Sequence, residues 1–226
     1  MAAVRNGAME MDAMITVALV DDEALIRAGL SALVAAEPDM QVVGEAADGS
    51  EVLDLVRRSR PEIVLMDVRM PGMDGIQATA ALTAAVDEAP KTIVVTTFEN
   101  DDYVYGALRA GAAGFLLKRS RPEDILAAIR LVHAGDSLLF PAAIRSLAAT
   151  APRADTVTSR SVRALTEREA ATLILMTQGL ANAEIAAQQV VSVETVKTHV
   201  SSILAKLHAR DRTQAVIAAY DSGLVR

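Results

Sequence analysis

Within its first 118 residues the chain carries side chains of the types needed for phosphoryl chemistry: Asp21, Asp22, Asp67, Thr96 and Lys118. Each lies at the end of a short apolar run. Asp21 and Asp22 follow Ile15–Val20, Asp67 follows Ile63–Met66, Thr96 closes Ile93–Thr96, and Lys118 follows Phe115–Leu117. Three converging carboxylates repel one another and call for a cation, and oxygen-only ligands with room for water suit Mg2+. A carboxylate beside Mg2+ can act as nucleophile toward a phosphoryl group and become an aspartyl phosphate. The metal and the Lys118 ammonium offset the charge on the transferring oxygens, and the Thr96 hydroxyl can bond them. Taken singly these residues are ordinary: an Asp-Asp pair after a strand is usually solvated loop, and a lone strand-end lysine is usually surface. Their joint order along the chain carries the reading.

That order needs strands to deliver it. The runs Ile15–Val20, Gln41–Val43, Ile63–Met66, Ile93–Thr96 and Phe115–Leu117 are short and mostly β-branched, which suits a parallel sheet covered on both faces. Between them apolar residues recur at helical spacing, as in Leu25–Leu30–Leu33–Val34, Val52–Leu53–Val56, Ile76–Leu82, Tyr103–Ala107–Leu108 and Ile125–Leu126–Ile129–Val132. The alternation predicts a doubly wound α/β domain of five strands and five helices. Ligands of such sheets bind beyond the C-terminal strand ends, the rim where the acidic residues fall.

The motifs Val-Asp-Asp-Glu (20–23), Leu-Met-Asp-Val-Arg-Met-Pro-Gly-Met-Asp-Gly (65–75), Val-Thr-Thr-Phe (95–98) and Gly-Phe-Leu-Leu-Lys (114–118) resemble the receiver domain of two-component response regulators. The resemblance covers roughly Ile15 to Val132 and implies a flavodoxin-like fold. It implies that Asp67 is the phosphoacceptor, and that Asp21, Asp22, Asp67 and the backbone carbonyl of Arg69 bind Mg2+. It further implies that Thr96 and Lys118 engage the phosphoryl group and that Phe115 takes the aromatic switch position. Some aspartyl-phosphate phosphatases carry a general acid two residues after the nucleophile. Arg69 stands there, so a domain that is phosphorylated is preferred to an enzyme that turns over a substrate.

From Thr166 onward the pattern is all helical. Thr166 with Glu169 makes a capping-box signal and Gly179 fits the stop. Asn182 is the expected cap of a helix over Ala183–Gln188. Ser192 precedes a third helix (Val193, Val196, Val200, Ile203, Leu204, Leu207), and Thr213–Tyr220 makes a fourth. The two middle helices predict a helix-turn-helix whose second member enters the major groove, with Glu194, Thr195, Lys197, Thr198 and Ser201 exposed early in it. Leu-Thr-Glu-Arg-Glu (165–169), Gly-Leu-Ala-Asn-Ala-Glu-Ile-Ala (179–186) and Val193–Leu207 resemble the LuxR-type helix-turn-helix of the NarL/FixJ class. The resemblance implies that Lys197, Thr198 and Ser201 face DNA and that the last helix contributes to dimerisation.

The expected layout is a receiver domain over 14–134, a linker with a short helix (Ala142–Ala148) over 135–161, and a DNA-binding domain over 162–226. The net charge of −7 is concentrated N-terminally: seven Lys/Arg against six Asp/Glu from Ser161 onward give +1, leaving −8 for the rest. There is no Cys, which excludes disulfides, thiolate catalysis and Cys-ligated metals. No apolar run approaches a membrane span, and the first 13 residues lack signal-peptide order, so a cytoplasmic protein is expected. The partners expected are a sensor histidine kinase, double-stranded DNA and, when phosphorylated, a second copy of the chain. Two other readings stay open: a phosphotransfer or phosphatase module with a protein-binding helical tail, and a DNA binder that never sees phosphate.

Overall fold

The computed structural model describes residues 14–86, 88–97, 101–135 and 161–225. The expected helix Ala142–Ala148, most of the expected linker, residues 1–13 and Phe98 lie outside them.

Five strands form one parallel sheet: β1 (Ile15–Val20), β2 (Met40–Ala46), β3 (Ile63–Asp67), β4 (Lys91–Thr96) and β5 (Gly114–Leu117), in the order β2-β1-β3-β4-β5. Helices α1 (Ala24–Ala35), α2 (Val52–Ser59), α3 (Gly75–Ala85), α4 (Asp101–Ala110) and α5 (Pro122–His133) cross between and after them. Successive strand residues point to opposite faces. Val17, Leu19, Ile63, Leu65, Ile93 and Val95 accordingly pack with Val34 of α1 and Ile125 and Ile129 of α5. Ala18, Val20, Val64 and Met66 pack with Leu55 and Val56 of α2 and Ala78 and Leu82 of α3. Burial on both faces explains why β3 reads as an unbroken apolar run. The edge strand β2 is longer than its apolar signal, because Gly44 and the exposed Glu45 interrupt the pattern while the ladder to β1 continues through Ala46.

The register fixes the rim. Val20 pairs with Met66, so Asp21 and Asp67 emerge side by side. Asp67 pairs with Val95 and Thr96 with Leu117, which brings Thr96 and Lys118 to the same end.

The C-terminal part contains α6 (Glu167–Thr177), α7 (Asn182–Gln189), α8 (Val193–Leu207) and α9 (Arg212–Asp221). Thr166 closes a full capping box with Glu169. Ser192 caps α8 by accepting from the Thr195 N–H, and Asp211 caps α9 through Gln214. The expected role of Asn182 is corrected. It is the first residue of α7, buried, and its Oδ1 accepts from Arg212 at 2.9 Å. Ala181 holds the cap position with no polar side chain, and Glu184 supplies half a box by accepting the Ala181 N–H at 2.7 Å. A buried arginine needs oxygen partners, and that need outweighs the local capping preference of Asn182.

Among the described residues no helix is long and apolar enough to cross a membrane.

Candidate functional site

At the C-terminal ends of β1 and β3, oxygens of Asp21, Asp22 and Asp67 lie within 4.8 Å of one another. Asp21 and Asp67 are buried and Asp22 is exposed. Lys118, following β5, reaches in from the opposite side: its Nζ stands 2.8 Å from Asp21 Oδ2 and 3.0 Å from Asp67 Oδ2. It also donates to Glu23 Oε1 at 3.1 Å. Burial pushes the Asp67 carboxyl above its ordinary value, and the Lys118 hydrogen bond and charge only partly counter this. Burial also works against the Lys118 charge, but hydrogen bonds to Asp21 and Asp67 win and hold its pKa above that of an ordinary lysine. Thr96 is buried at the end of β4, and its carbonyl accepts the Lys118 backbone N–H at 2.7 Å.

This donor set fits a hard divalent cation: three carboxylates converge, one of them is open to water, and the two buried ones are paired with the Lys118 ammonium. The loop between β3 and α3 brings its own backbone to the site. The Arg69 N–H hydrogen-bonds the Asp67 carboxylate, and Gly75 N donates to Val68 O at 2.9 Å to close the loop. Gly75 is required here, because a Cβ would lie 1.9 Å from the Asp67 carbonyl oxygen.

The second candidate region is α8. Lys197, Thr198 and Ser201 are all exposed on it, while Val196, Val200 and Ile203 turn inward. Glu194, 3.8 Å from Lys197, is exposed with them.

Comparison with known proteins decides the family. Residues 17–130 match the response regulator receiver domain, and residues 163–219 match the luxR family of bacterial regulatory proteins. The chain belongs to the two-component response regulators with a LuxR-type DNA-binding domain. It is 40% identical over 212 residues to the transcriptional regulatory protein LiaR of Bacillus subtilis, covering 94% of this chain and all of the relative. It is equally 40% identical over 214 residues to the transcriptional regulatory protein YxjL of the same organism, covering 94% and 98%. The crystal structure of ChrA, a response regulator in a heme-sensing two-component system, matches with 34% identity and a TM-score of 0.51 over 94% of this chain and 99% of that one.

In this response regulator the two parts touch. Helix α9 packs on α4 and the α4–β5 connection of the receiver: Gln214 Nε2 donates to Leu108 O at 2.7 Å and Thr213 Oγ1 to Ala113 O at 3.2 Å. Arg109 pairs with Asp221 at 3.2 Å, and Arg210 donates to Thr83 O at 3.3 Å. Phe115 is buried in one apolar cluster that runs from Val94 and Leu108 into Leu173, Val216 and Ile217. The helix expected to serve dimerisation therefore faces the receiver of its own chain in this structure.

Two residues near the rim are given no role from the sequence. Glu23 lies inside the acidic run at 21–23 and could have been found there. Asp48 accepts hydrogen bonds from Gly72 and Met73, and nothing in its own neighbourhood points to them.

Proposed function

We propose that Asp67 accepts a phosphoryl group and that this modification controls DNA binding and transcription. The arrangement that carries the reading is Lys118 Nζ set between Asp21 and Asp67, with Asp22 beside them, at a rim where β1, β3 and β5 end. Asp21, Asp22, Asp67 and the Arg69 carbonyl would hold Mg2+, which when bound supplies positive charge opposite the transferring oxygens. An Asp67 oxygen attacks the phosphorus of a phosphohistidine on a sensor kinase, or of a small phosphodonor. The new P–O bond forms as the bond to the donor breaks and the electron pair leaves with the donor. Lys118 exchanges a carboxylate partner for a phosphoryl oxygen, and Thr96 donates its hydroxyl to another.

The added charge draws Thr96 and Lys118 inward. Both flank the β4–β5 pair that carries Phe115, and Phe115 shares its apolar cluster with α9. Release of α9 from the α4–β5 face frees it to pair with a second copy of the chain. Two helix-turn-helix units then meet paired half-sites, with Lys197, Thr198 and Ser201 toward the groove. The working limits are 14–134 for the receiver, 135–161 for the linker and 162–226 for the DNA-binding domain, in a cytoplasmic protein that turns over no substrate of its own.

The test is binding to genomic DNA fragments at fixed salt, with and without Mg2+ and acetyl phosphate, for wild type and Asp67→Asn. Tightening that needs both phosphodonor and Asp67 is expected. Equal binding under every condition overturns the switch.

A further inference from the structure

The loop that carries Arg69 is held at its far end by a residue on a different strand connection. Asp48, between β2 and α2, accepts from Gly72 N at 2.7 Å through Oδ2 and from Met73 N at 3.2 Å through Oδ1. The same Oδ1 accepts from Ser50 N at 2.9 Å and Ser50 Oγ at 2.6 Å. The neighbouring Gly49 N returns a hydrogen bond to Met73 O at 3.2 Å. Two glycines make this approach possible. A Cβ on Gly72 would fall 2.6 Å from Asp48 Oδ2, and one on Gly49 would fall 2.4 Å from Met73 O.

We infer that Asp48 is a positioning residue for the acidic site, clamping the β3–α3 loop so that the Arg69 backbone stays against Asp67. The inference rests on the proposed phosphoryl chemistry at Asp67. The loop from Val68 to Asp74 leaves the sheet at Asp67 and returns at Gly75. Near its start the Arg69 N–H meets the Asp67 carboxylate, and near its end Gly72 and Met73 are tied to Asp48. With both ends fixed, the Arg69 carbonyl has little freedom, and an oxygen held in place loses less entropy on meeting a cation. Fixed groups behind a metal site commonly alter its affinity by about tenfold or more. The hydrogen bonds from Ser50, Met73 and Gly72 keep the Asp48 carboxyl well below the usual carboxylate range, so the clamp is ionised at every pH at which the protein would work.

The experiment uses the full chain and Mg2+ alone. Amide chemical shifts of Arg69, Gly72 and Met73 are followed by NMR during Mg2+ titration of wild type, Asp48→Ala, Asp48→Asn and Gly72→Ala, with circular dichroism and thermal melting on the same samples. Asp48→Ala is expected to raise the Mg2+ Kd about tenfold and to speed amide exchange at 72–73. The conservative Asp48→Asn should fall between it and wild type, because it keeps one acceptor oxygen. Gly72→Ala, which pushes a methyl against Oδ2, should reproduce the defect and serves if Asp48→Ala does not fold. In parallel, the Mg2+ concentration for half-maximal labelling by acetyl phosphate should rise in the same order. Wild-type Mg2+ affinity in folded Asp48→Ala or Gly72→Ala overturns the clamp. If wild type binds Mg2+ but takes no label, the phosphoryl reading fails, while the Mg2+ affinities still decide the clamp.

Discussion

Gln214, on the last helix, donates its side-chain N–H to the carbonyl of Leu108, 106 residues earlier, at 2.7 Å. Leu108 lies in the last turn of α4, where carbonyls lack helical partners. The Leu108 carbonyl also accepts from Gly111 N at 3.1 Å, so the DNA-binding part adds a second donor to it, and that bond can be exchanged for water when the parts separate.

That relationship predicts a graded response. Gln214→Ala with Arg109→Ala removes one neutral hydrogen bond and one partly exposed ion pair, together about 1.5 kcal/mol. Amide exchange over 107–113 and 212–221 should quicken in the unphosphorylated protein. DNA affinity without phosphodonor should rise by up to about tenfold. Unchanged exchange would mean that the interface draws nothing from these contacts.

Lys118→Met should slow phosphate uptake by orders of magnitude while sparing Mg2+ binding, because it removes an ammonium and no metal ligand. It also exposes the electrostatic cost of Asp67. The folded-state pKa of Asp67 is raised, so ionising it destabilises the fold as pH climbs from about 3.8 through that higher value. Without Lys118 this loss should be steeper. Urea midpoints between pH 4 and 7 in metal-free buffer would read it, and parallel profiles for the two proteins would count against the assigned ion pair.

Glu169 titrates the other way. Hydrogen bonds from Lys206 and Ser202 hold it at about 2, below its ordinary 4.5. The stabilisation is complete above about 4.5 and is lost as pH falls through about 2. Glu169→Gln should therefore cost about 2 kcal/mol at pH 7 and progressively less below pH 4.5, measured by urea unfolding. A penalty independent of pH would point to packing rather than charge.

Val190 ends α7 in the left-handed region (φ 56°) with its side chain exposed. A β-branched residue is strained there and glycine is not. Val190→Gly is expected to stabilise the protein by about 1 kcal/mol, seen as a higher urea midpoint. Destabilisation would show that the valine has an apolar role in the turn.

On DNA, Lys197→Ala should weaken binding and flatten the slope of log affinity against log salt by about 1 if the ammonium meets a phosphate. Fluorescence anisotropy across a salt series measures both. Wild-type affinity with wild-type slope would remove Lys197 from the groove-facing set.

The sequence by itself determined the alternation of strands and helices, the acidic residues at strand ends, and the caps at Thr166 and Ser192. These signals are local: period-two and helical spacing, or a side chain bonding a backbone group three residues away. Only the tertiary structure decided what Asp48, Asn182 and α9 do. Asp48 spends its carboxylate on amides 24 and 25 residues away, Asn182 turns to Arg212, 30 residues on, and Gln214 crosses to the receiver. Asp48 keeps its local bond to Ser50 and adds the distant ones, whereas Asn182 gives up a local cap, because a buried or nearby polar group takes the partner that packing brings, and packing is set by the whole chain.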